Sequence, residues 1–323
     1  MAITVLTGET LAAGIRSDFE NTYRTTYDGV EKFLGRVMQI DVPQAHLTET
    51  FGYRDSLPTP GLWRRGSPIP TGGMASKSYT VTAFDYAREL RWHRNDRNDN
   101  KVGDLYSDAR NLGGMFARLD SMAFAEILTN SASLLPSIPN APDGQALFYG
   151  STRFGHASGN IVSGGGVASA SAVITDFYAA VARFNAFQGT QGQPFFEPNM
   201  ESATYTVFAG SANQQMFMAA FKAELFHSVL SSTGAAISNT VLASGERVTL
   251  NFSSRISDND WFVFREDAPV KAIASTLREP LRMAESHEQN SDTARNTGEE
   301  SVQFAVRKGY VVNVPFGAIK VNN

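Results

Sequence analysis

The segment from Phe51 to Trp92 limits the possible folds most strongly, because it predicts a long β-hairpin with almost no core of its own. Residues 76–84 alternate threonine, valine and tyrosine in the manner typical of a strand. Few large aliphatic residues accompany them, so we expect the hairpin to lie on a partner. Proline and glycine exclude a helix in the first part and predict a tip at residues 68–73. They are Pro58, Pro60, Gly61, Gly66, Pro68, Pro70, Gly72 and Gly73.

An amphipathic helix is predicted before the hairpin, over residues 9–38. Its apolar residues recur at steps of four and three and therefore share one helical stripe. Gly29 and Gly35 favour a break in the second half. The apolar face of this arm needs a cover, which either the rest of the chain or a neighbouring subunit could supply. The stripe consists of Leu11, Ile15, Phe19, Tyr23, Tyr27, Val30, Leu34 and Val37.

A second long helix is predicted after the hairpin, over residues 104–129. It would be roughly 40 Å long at the usual rise per residue, which is long for a globular domain. Pro136 and Pro139 end it. Its apolar stripe consists of Leu105, Ala109, Leu112, Phe116, Leu119, Ala123 and Ile127.

The remainder of the chain predicts an α/β region followed by terminal strands. Residues 282–300 are polar and predict an exposed loop. No internal repeat is visible. The predicted helices span 172–187 and 211–226, and the predicted strands span 205–208, 247–252, 260–265, 302–307 and 310–314.

Composition excludes several classes of protein. The absence of cysteine removes thiolate nucleophiles, disulfides and cysteine-rich zinc sites. A net charge of −4 gives no overall attraction to nucleic acid or anionic membrane. No apolar run approaches the roughly 18 residues that span a bilayer, and no signal peptide is visible. At 323 residues we expect two or more substructures in a soluble chain made in the cytoplasm.

Motifs for catalysis, metals and cofactors are not recognised. The Gly-x-Ser-x-Gly elbow and the glycine-rich nucleotide loops are absent, and residues 163–166 predict a flexible loop. The histidines have no metal-ligand spacing, so we predict no metal and no cofactor. A Ser-His-Asp triad that assembles in space stays open, so a soluble hydrolase remains an alternative. The histidines are His46, His93, His156, His227 and His287.

The densest basic run follows the predicted strand that leads into the second helix. Acidic residues interleave with it and offset most of its charge, whereas a DNA-reading helix is usually cleaner in sign. We therefore predict a charge network between subunits, with nonspecific DNA contact as the alternative. The run comprises Arg88, Arg91, Arg94, Arg97 and Lys101, interrupted by Glu89, Asp96 and Asp99.

The order of these parts resembles the HK97-type capsid fold, with its N-arm, E-loop, spine helix, A-domain and P-domain. The residues look most similar to the major head proteins of Mu-like phages, the gpT-like family. Near the place where that family has a histidine, this chain has Arg153, with His156 slightly beyond. The stretches that carry the resemblance are residues 60–66 (PGLWRRG), 84–96 (FDYARELRWHRND), 103–106 (GDLY), 143–148 (DGQALF), 259–264 (NDWFVF) and 278–280 (REP).

The resemblance implies an α+β fold and a structural protein, not an enzyme. It implies a major capsid protein whose hexamers and pentamers tile an icosahedral head around double-stranded DNA. An encapsulin-like nanocompartment shell is the nearest alternative. The implied domains are an N-arm over 1–50, an E-loop over 51–93, a P-domain with the spine helix over 94–166, an A-domain over 167–276, and P-domain C-terminal strands over 277–323.

The resemblance also implies partners and contacts. The protein would reside in the virion, and in the host cytoplasm during assembly, with scaffolding, maturation protease, portal and possible decoration proteins as partners. A separate scaffold with little N-terminal cleavage is expected. A Lys77–Asn313 cross-link stays open. The residues expected at subunit contacts are Trp63, Arg64, Arg65, Lys77, Arg88, Arg91, Arg94 and Arg97.

Overall fold

Helices and strands alternate along a mixed α+β chain in the computed structural model. The structure describes residues 7–53, 77–99, 101–153, 159–188, 195–196, 203–222, 225–227, 236–238, 247–268 and 270–323. Its helices are α1 Gly8–Leu34, α2 Arg94–Asn98, α3 Gly103–Ala117, α4 Leu119–Thr129, α5 Ala170–Ala186, α6 Gln214–Lys222 and α7 Asp292–Thr297. Its strands are β1 Met38–Pro43, β2 Thr48–Tyr53, β3 Lys77–Thr82, β4 Phe84–His93, β5 Ile161–Ser163, β6 Thr204–Gly210, β7 Leu225–His227, β8 Ala236–Ser238, β9 Arg247–Ser253, β10 Trp261–Arg265, β11 Ile273–Ser286, β12 Glu299–Val312 and β13 Ala318–Asn322.

A four-stranded sheet in the order β1-β11-β12-β4 forms one half of the structure. β1 runs parallel to β11, and the other pairs are antiparallel. Helices α1 and α3 cover one face, where Phe19 stacks on Phe304 with ring centroids 4.0 Å apart. The predicted stripe of α1 is confirmed at Leu11, Ile15 and Phe19, which are buried. Its cover is the chain's own sheet and α3.

A five-stranded sheet in the order β5-β13-β10-β6-β9 forms the other half. Helices α5 and α6 pack on it through aromatic side chains such as Phe177 and Phe217, which join a core that includes Trp261. Helix α4 belongs to a second core that reaches both sheets. Phe124 packs against Phe208 and Phe264 of the five-stranded sheet, with centroids 5.0 and 5.5 Å away, and the same core includes Ile273 and Val312 of the four-stranded sheet. The two halves therefore share a core through α4.

The single long helix predicted over residues 104–129 is wrong. The chain forms α3 and α4 instead, because Arg118 leaves the helical conformation (φ −93°, ψ 6°) and its N–H donates to Met115 O at 3.1 Å. Helix α3 packs on α1, whereas almost every side chain of α4 is buried between the sheets. Because of this break, the apolar residues of α3 can face α1 while those of α4 face the core between the sheets.

The exposed loop predicted over residues 282–300 is also wrong. Strand β11 continues to Ser286, α7 follows, and β12 begins at Glu299. The polar residues alternate with inward side chains such as Met283, so they occupy the outer face of a strand. Gly298 (φ +74°) makes the tight turn that precedes β12. Strand β12 then continues through residues 308–309, where the sequence predicts a gap between two separate strands.

The predicted hairpin and helix 211–226 are shorter than expected. Strands β2 and β3 pair as a hairpin, whereas β4 pairs with β12 in the four-stranded sheet. The predicted tip at 68–73 lies outside the described residues. Helix α6 ends at Lys222, and β7 follows it. The last strand, β13, joins the five-stranded sheet, next to strands of the predicted A-domain range.

The crossing of α1 and α3 depends on a glycine. A Cβ atom at Gly113 would lie 2.6 Å from the backbone oxygen of Phe19 and 3.3 Å from the backbone nitrogen of Tyr23. Backbone atoms of a packed helix cannot move aside as a flexible side chain can. At the next position, a Cβ on Gly114 would meet only Thr22 Cγ2, at 4.0 Å. An alanine at position 113 therefore tests the packing of the two helices, whereas an alanine at position 114 tests helix propensity alone.

We predict that Gly113→Ala lowers the free energy of unfolding by about 1–3 kcal/mol, because it overpacks the helix crossing. Gly114→Ala is the matched control and should raise stability by up to about 1 kcal/mol, because alanine favours the helix. Urea unfolding of both variants and the wild type measures the difference. Equal changes in both variants would contradict the close approach at Gly113.

Candidate functional site

The hairpin of β2 and β3 is fixed to the chain at its root. Val81 is 2% exposed and packs with Ala274 and Val311 on the face of the four-stranded sheet opposite α1. A Cβ on Gly309 would lie 2.8 Å from Val81 Cγ1, so the glycine permits this contact. Farther along the hairpin, residues such as Thr80 are exposed. Among the described residues, the hairpin therefore packs on the four-stranded sheet only near its base.

The rest of that sheet face is exposed and carries paired charges. Arg307 on β12 bridges two strands, with 2.6 Å between its Nε and Asp85 Oδ1 and 2.7 Å between NH1 and Glu279 Oε1. Arg91 pairs with Glu89 on β4 at 2.6 Å. This flat, charged face and the hairpin next to it form a candidate surface for contact with another protein.

The predicted basic run divides into buried and exposed members. Arg97 is 7% exposed, and its NH1 lies 3.0 Å from Oε1 of Glu300, which is 1% exposed. The indole of Trp92 donates to the same carboxylate at 2.8 Å. A Cβ on Gly8 would lie 2.5 Å from Glu300 Oε1, so the first residue of α1 rests on this ion pair. Arg97 thus holds the start of α1 in place through a contact within the same chain and not between chains.

The other predicted contact residues have different surroundings. Arg94 pairs with Glu288 at 3.3 Å. Arg88 is exposed and makes no ion pair with any described residue. Lys77 begins β3, paired with Tyr53, and its side chain lies outside the described part of the chain. The predicted Trp63, Arg64 and Arg65 lie outside the described residues too. Their role in subunit contacts stays a prediction.

Sequence reasoning missed a buried charge network centred on Lys308 of β12. Its Nζ lies 2.8 Å from Oδ2 of Asp120 on α4 and 2.7 Å from Oδ1 of Asp41 on β1. Tyr310 donates a hydrogen bond to Asp120 Oδ1 at 2.9 Å, and Tyr27 of α1 donates one to Asp41 Oδ2 at 2.6 Å. The available signal was a lysine at a position of β12 that lies between the apolar residues Val306 and Tyr310 on the same face of the strand. Nothing in the sequence names its partners.

Burial and charge shift the pKa values in this network. Burial lowers the pKa of Lys308, but Asp120 and Asp41 outweigh it, and the net pKa is raised above its ordinary value. Burial raises the pKa of Tyr310, and the Asp120 carboxylate raises it further. Burial likewise raises the pKa of Tyr27, helped by its hydrogen bond to Asp41. The phenols therefore stay neutral and the lysine charged at neutral pH.

The Asp-Gly motif at residue 143 has a structural role. Both carboxylate oxygens of Asp143 accept from the buried Arg153, at 2.8 and 2.9 Å. Arg153 also donates to Leu147 O and to Asn160 Oδ1. This cluster holds the loop after α4 in place, and the buried Arg153 is its centre.

The described histidines do not converge on one site. His46 is exposed, whereas His287 is buried and hydrogen-bonded to Gln289. His93 caps α2 through Asn95 N. Within the described residues, no group of three or more His, Asp or Glu side chains could hold a metal ion, and no helix is long and apolar enough to cross a membrane.

No protein-family model and no curated protein matches the sequence. Solved structures do match. The capsid of Myoviridae phage XM1 matches with a TM-score of 0.53 and 9% identity, over 90% of each chain. The capsid structure of cyanophage P-SCSP1u matches at 0.52 and 12% identity, over 88% of this chain and 85% of that chain. The mature capsid of bacteriophage PhiM1 matches at 0.52 and 11%, over 90% and 86%. The chain has the predicted HK97-like α+β fold.

We predict that Glu300→Gln lowers the free energy of unfolding by about 3 kcal/mol, because it removes the buried counter-charge of Arg97 and leaves only the partly exposed Glu288, 3.7 Å away. Urea unfolding at neutral pH measures this loss. Arg91→Gln is the control on an exposed pair and should leave stability unchanged, since solvent screens that pair. Similar losses in both variants would contradict a special role for Glu300.

Alkaline pH should destabilise the fold through Lys308 and Tyr310. Both have a folded pKa above the ordinary values of 10.5 and 10.0. Their stabilising contribution is therefore complete below the unfolded pKa and is lost as pH rises through the folded pKa. Urea unfolding should show stability falling above about pH 10. Tyr310→Phe should reduce the slope there, and an unchanged slope would contradict the assignment.

Proposed function

We propose that this chain is a major capsid protein whose copies self-assemble into the icosahedral head of a tailed phage. One observation carries the proposal: phage capsid chains match this fold across about nine tenths of both chains. A match of that extent cannot be confined to one half of the fold. The exposed hairpin and the exposed sheet face beside it are explained if they contact other copies of the chain.

The exposed surfaces support self-association. The hairpin is rooted through Val81, and the sheet face beside it carries charges of both signs. Alternating charges on a flat face suit a complementary neighbour. Many such contacts per subunit would hold hexamers and pentamers in a shell even if each one is weak. The protein would then be structural, without a catalytic role.

We also propose specific contacts and a closer relationship. By their resemblance, the segments noted above suggest the Mu-like head proteins, with the E-loop, P-domain and A-domain divided as the sequence predicts. The proposed subunit contacts are Trp63, Arg64, Arg65, Lys77, Arg88, Arg91, Arg94 and Arg97. Arg88 is the most informative of these, because it is exposed and makes no ion pair within the described chain.

The proposed particle encloses double-stranded DNA and touches it nonspecifically. Its partners would be a scaffolding protein, a maturation protease, a portal and, in some heads, decoration proteins. The protein would reside in the virion, and in the host cytoplasm while heads assemble. An encapsulin-like shell would have the same subunit contacts but would enclose protein cargo.

We expect the chain, expressed alone and with its neighbouring genes, to form rings, tubes or closed shells in negative-stain electron microscopy. Nucleic acid inside shells from the complete gene cluster would support a phage head, and protein cargo would support a nanocompartment. A monomer or dimer that persists at high concentration, even with a scaffold candidate, would contradict the proposal.

Arg88→Glu should reduce assembly strongly while leaving the free energy of unfolding of the monomer unchanged, because the side chain is exposed and forms no ion pair with the described part of the chain. Arg88→Lys keeps the charge and is the matched control, which should assemble. Sedimentation measures the assembled fraction, and urea unfolding measures stability. Normal assembly of Arg88→Glu would remove Arg88 from the proposed contacts.

A further inference from the structure

A cavity of about 170 Å³ lies where the end of α1 meets α4 and the five-stranded sheet. Its walls are mostly apolar and come from both helices, from β6, from β9 and from the turn after β9. Three phenylalanine rings lie close together there: the ring centroid of Phe208 is 5.6 Å from that of Phe33 and 5.0 Å from that of Phe124. Leu128 and Ile256, which are buried, add to the apolar wall.

One wall of this cavity carries an amide at a position where the neighbouring side chains are apolar. Asn251 of β9 is in register with Phe208 of β6, so the two side chains lie next to each other on the sheet face that α4 covers. The Nδ2 atom of Asn251 is buried and has no hydrogen-bond acceptor among the described residues. A buried donor without an acceptor destabilises a fold. The amide is therefore explained if a bound molecule accepts its hydrogen bond.

The wall formed by the turn after β9 carries a positive charge. Arg255 is exposed there and forms no ion pair with any described residue. Aspartate and glutamate do not occur among the described residues that line the cavity. The Ser121 hydroxyl, which also lines it, already donates to Arg118 O at 3.1 Å. An unused amide donor and a guanidinium group without a counter-charge favour a bound anion over a cation.

We propose that this cavity binds a small aromatic carboxylic acid in its ionised form. The ring would lie among the phenylalanine side chains, where edge-to-face and offset contacts are favourable. The carboxylate would accept from Asn251 Nδ2 and pair with Arg255. The size agrees, because an apolar cavity of about 150 Å³ can hold one benzene ring. The proposal goes beyond the shell function and does not depend on it, because all of these residues belong to one chain.

A bound acid would connect the end of α1 to the five-stranded sheet. Phe33 belongs to α1, Phe124 to α4 and Asn251 to β9, so one ligand contacts all three elements. Just beyond the end of α1, Arg36 NH1 donates to Thr249 Oγ1 of β9 at 3.2 Å. The acid would add a second polar link between these parts of the chain. Because the site exists only in the folded chain, the acid stabilises the subunit increasingly as its concentration rises.

Thermal unfolding of the full-length chain with benzoate tests the proposal. Benzoate should raise the Tm in a saturable way, with a dissociation constant of about 1 mM or lower. Benzylamine has a similar ring with a positive charge, and acetate has the carboxylate without the ring. Neither should raise the Tm at the same ionic strength. The absence of a saturable shift with benzoate up to about 10 mM, or an equal shift with either control compound, would overturn the proposal.

Asn251→Leu separates binding from stability. Leucine has a similar size and removes a buried donor that lacks an acceptor, so the variant without ligand should be at least as stable as the wild type in urea unfolding. The same variant should weaken benzoate binding about tenfold or more, because the carboxylate loses its hydrogen bond. Unchanged benzoate binding in a folded Asn251→Leu chain would overturn the proposed site.

Arg255→Gln tests the positive charge beside the cavity. Because Arg255 is exposed, the variant should unfold like the wild type but bind benzoate about threefold more weakly. Arg247→Gln is the matched control, since Arg247 is exposed at the start of β9 and does not line the cavity. It should bind benzoate as the wild type does. Equal losses of affinity in the two variants would reflect net charge alone and would overturn the contact with Arg255.

Discussion

The buried charge of Lys308 is the constraint on which the rest of the fold depends. An ammonium group away from water must find anions, and here they come from α4 and β1. Tyr27 connects α1 to the same network through Asp41. Strand β1 bulges between Gln39 and Val42, and Asp41 there adopts a left-handed conformation. One charge thereby fixes the relative positions of a helix arm, a core helix and two strands.

A second buried ion pair holds the other end of the arm. Glu300 and Arg97 lie beneath Gly8 at the start of α1, while Tyr27 lies near its far end. Between them, Gly113 lets α3 approach the backbone of α1. The position of α1 along the sheet is therefore fixed by polar contacts at both ends and by close packing in the middle. Burial of its apolar side chains alone would not fix that position.

Sequence patterns predicted the parts of the fold that repeat over many residues. The stripe of α1 is visible because every turn repeats the signal, and the strands predicted over 247–252 and 260–265 are visible because β-branched and aromatic residues are frequent in them. The break at Arg118 is not, since neither glycine nor proline marks it; only the tertiary contacts of α4 require it. In residues 282–286, the polar residues of β11 outnumber the inward-facing Met283, so a polar composition concealed a strand.

The sequence predicted that the candidate site contains a basic run, but not which of its residues are buried and which are exposed. The basic run was visible, yet its division into a buried Arg97 and an exposed Arg88 depends on Glu300, which lies 203 residues beyond Arg97. Lys308 and Asp120 are likewise 188 residues apart in sequence, and Asp41 is still more distant from Lys308. Long-range pairs of this kind leave no local pattern, because each member alone resembles an ordinary charged residue.

The order of strands in both sheets determines when the subunit can fold during synthesis. Strand β12 lies between β11 and β4, and β13 lies between β5 and β10, although both follow all the other strands in the chain. Neither sheet can close before residues 299–322 have left the ribosome. Nascent chains therefore remain incompletely folded, with α1 and α3 lacking the sheet they cover, until translation has passed both strands. On polysomes, where many unfinished copies are crowded together, these apolar helix faces are consequently open to wrong contacts between chains for most of synthesis.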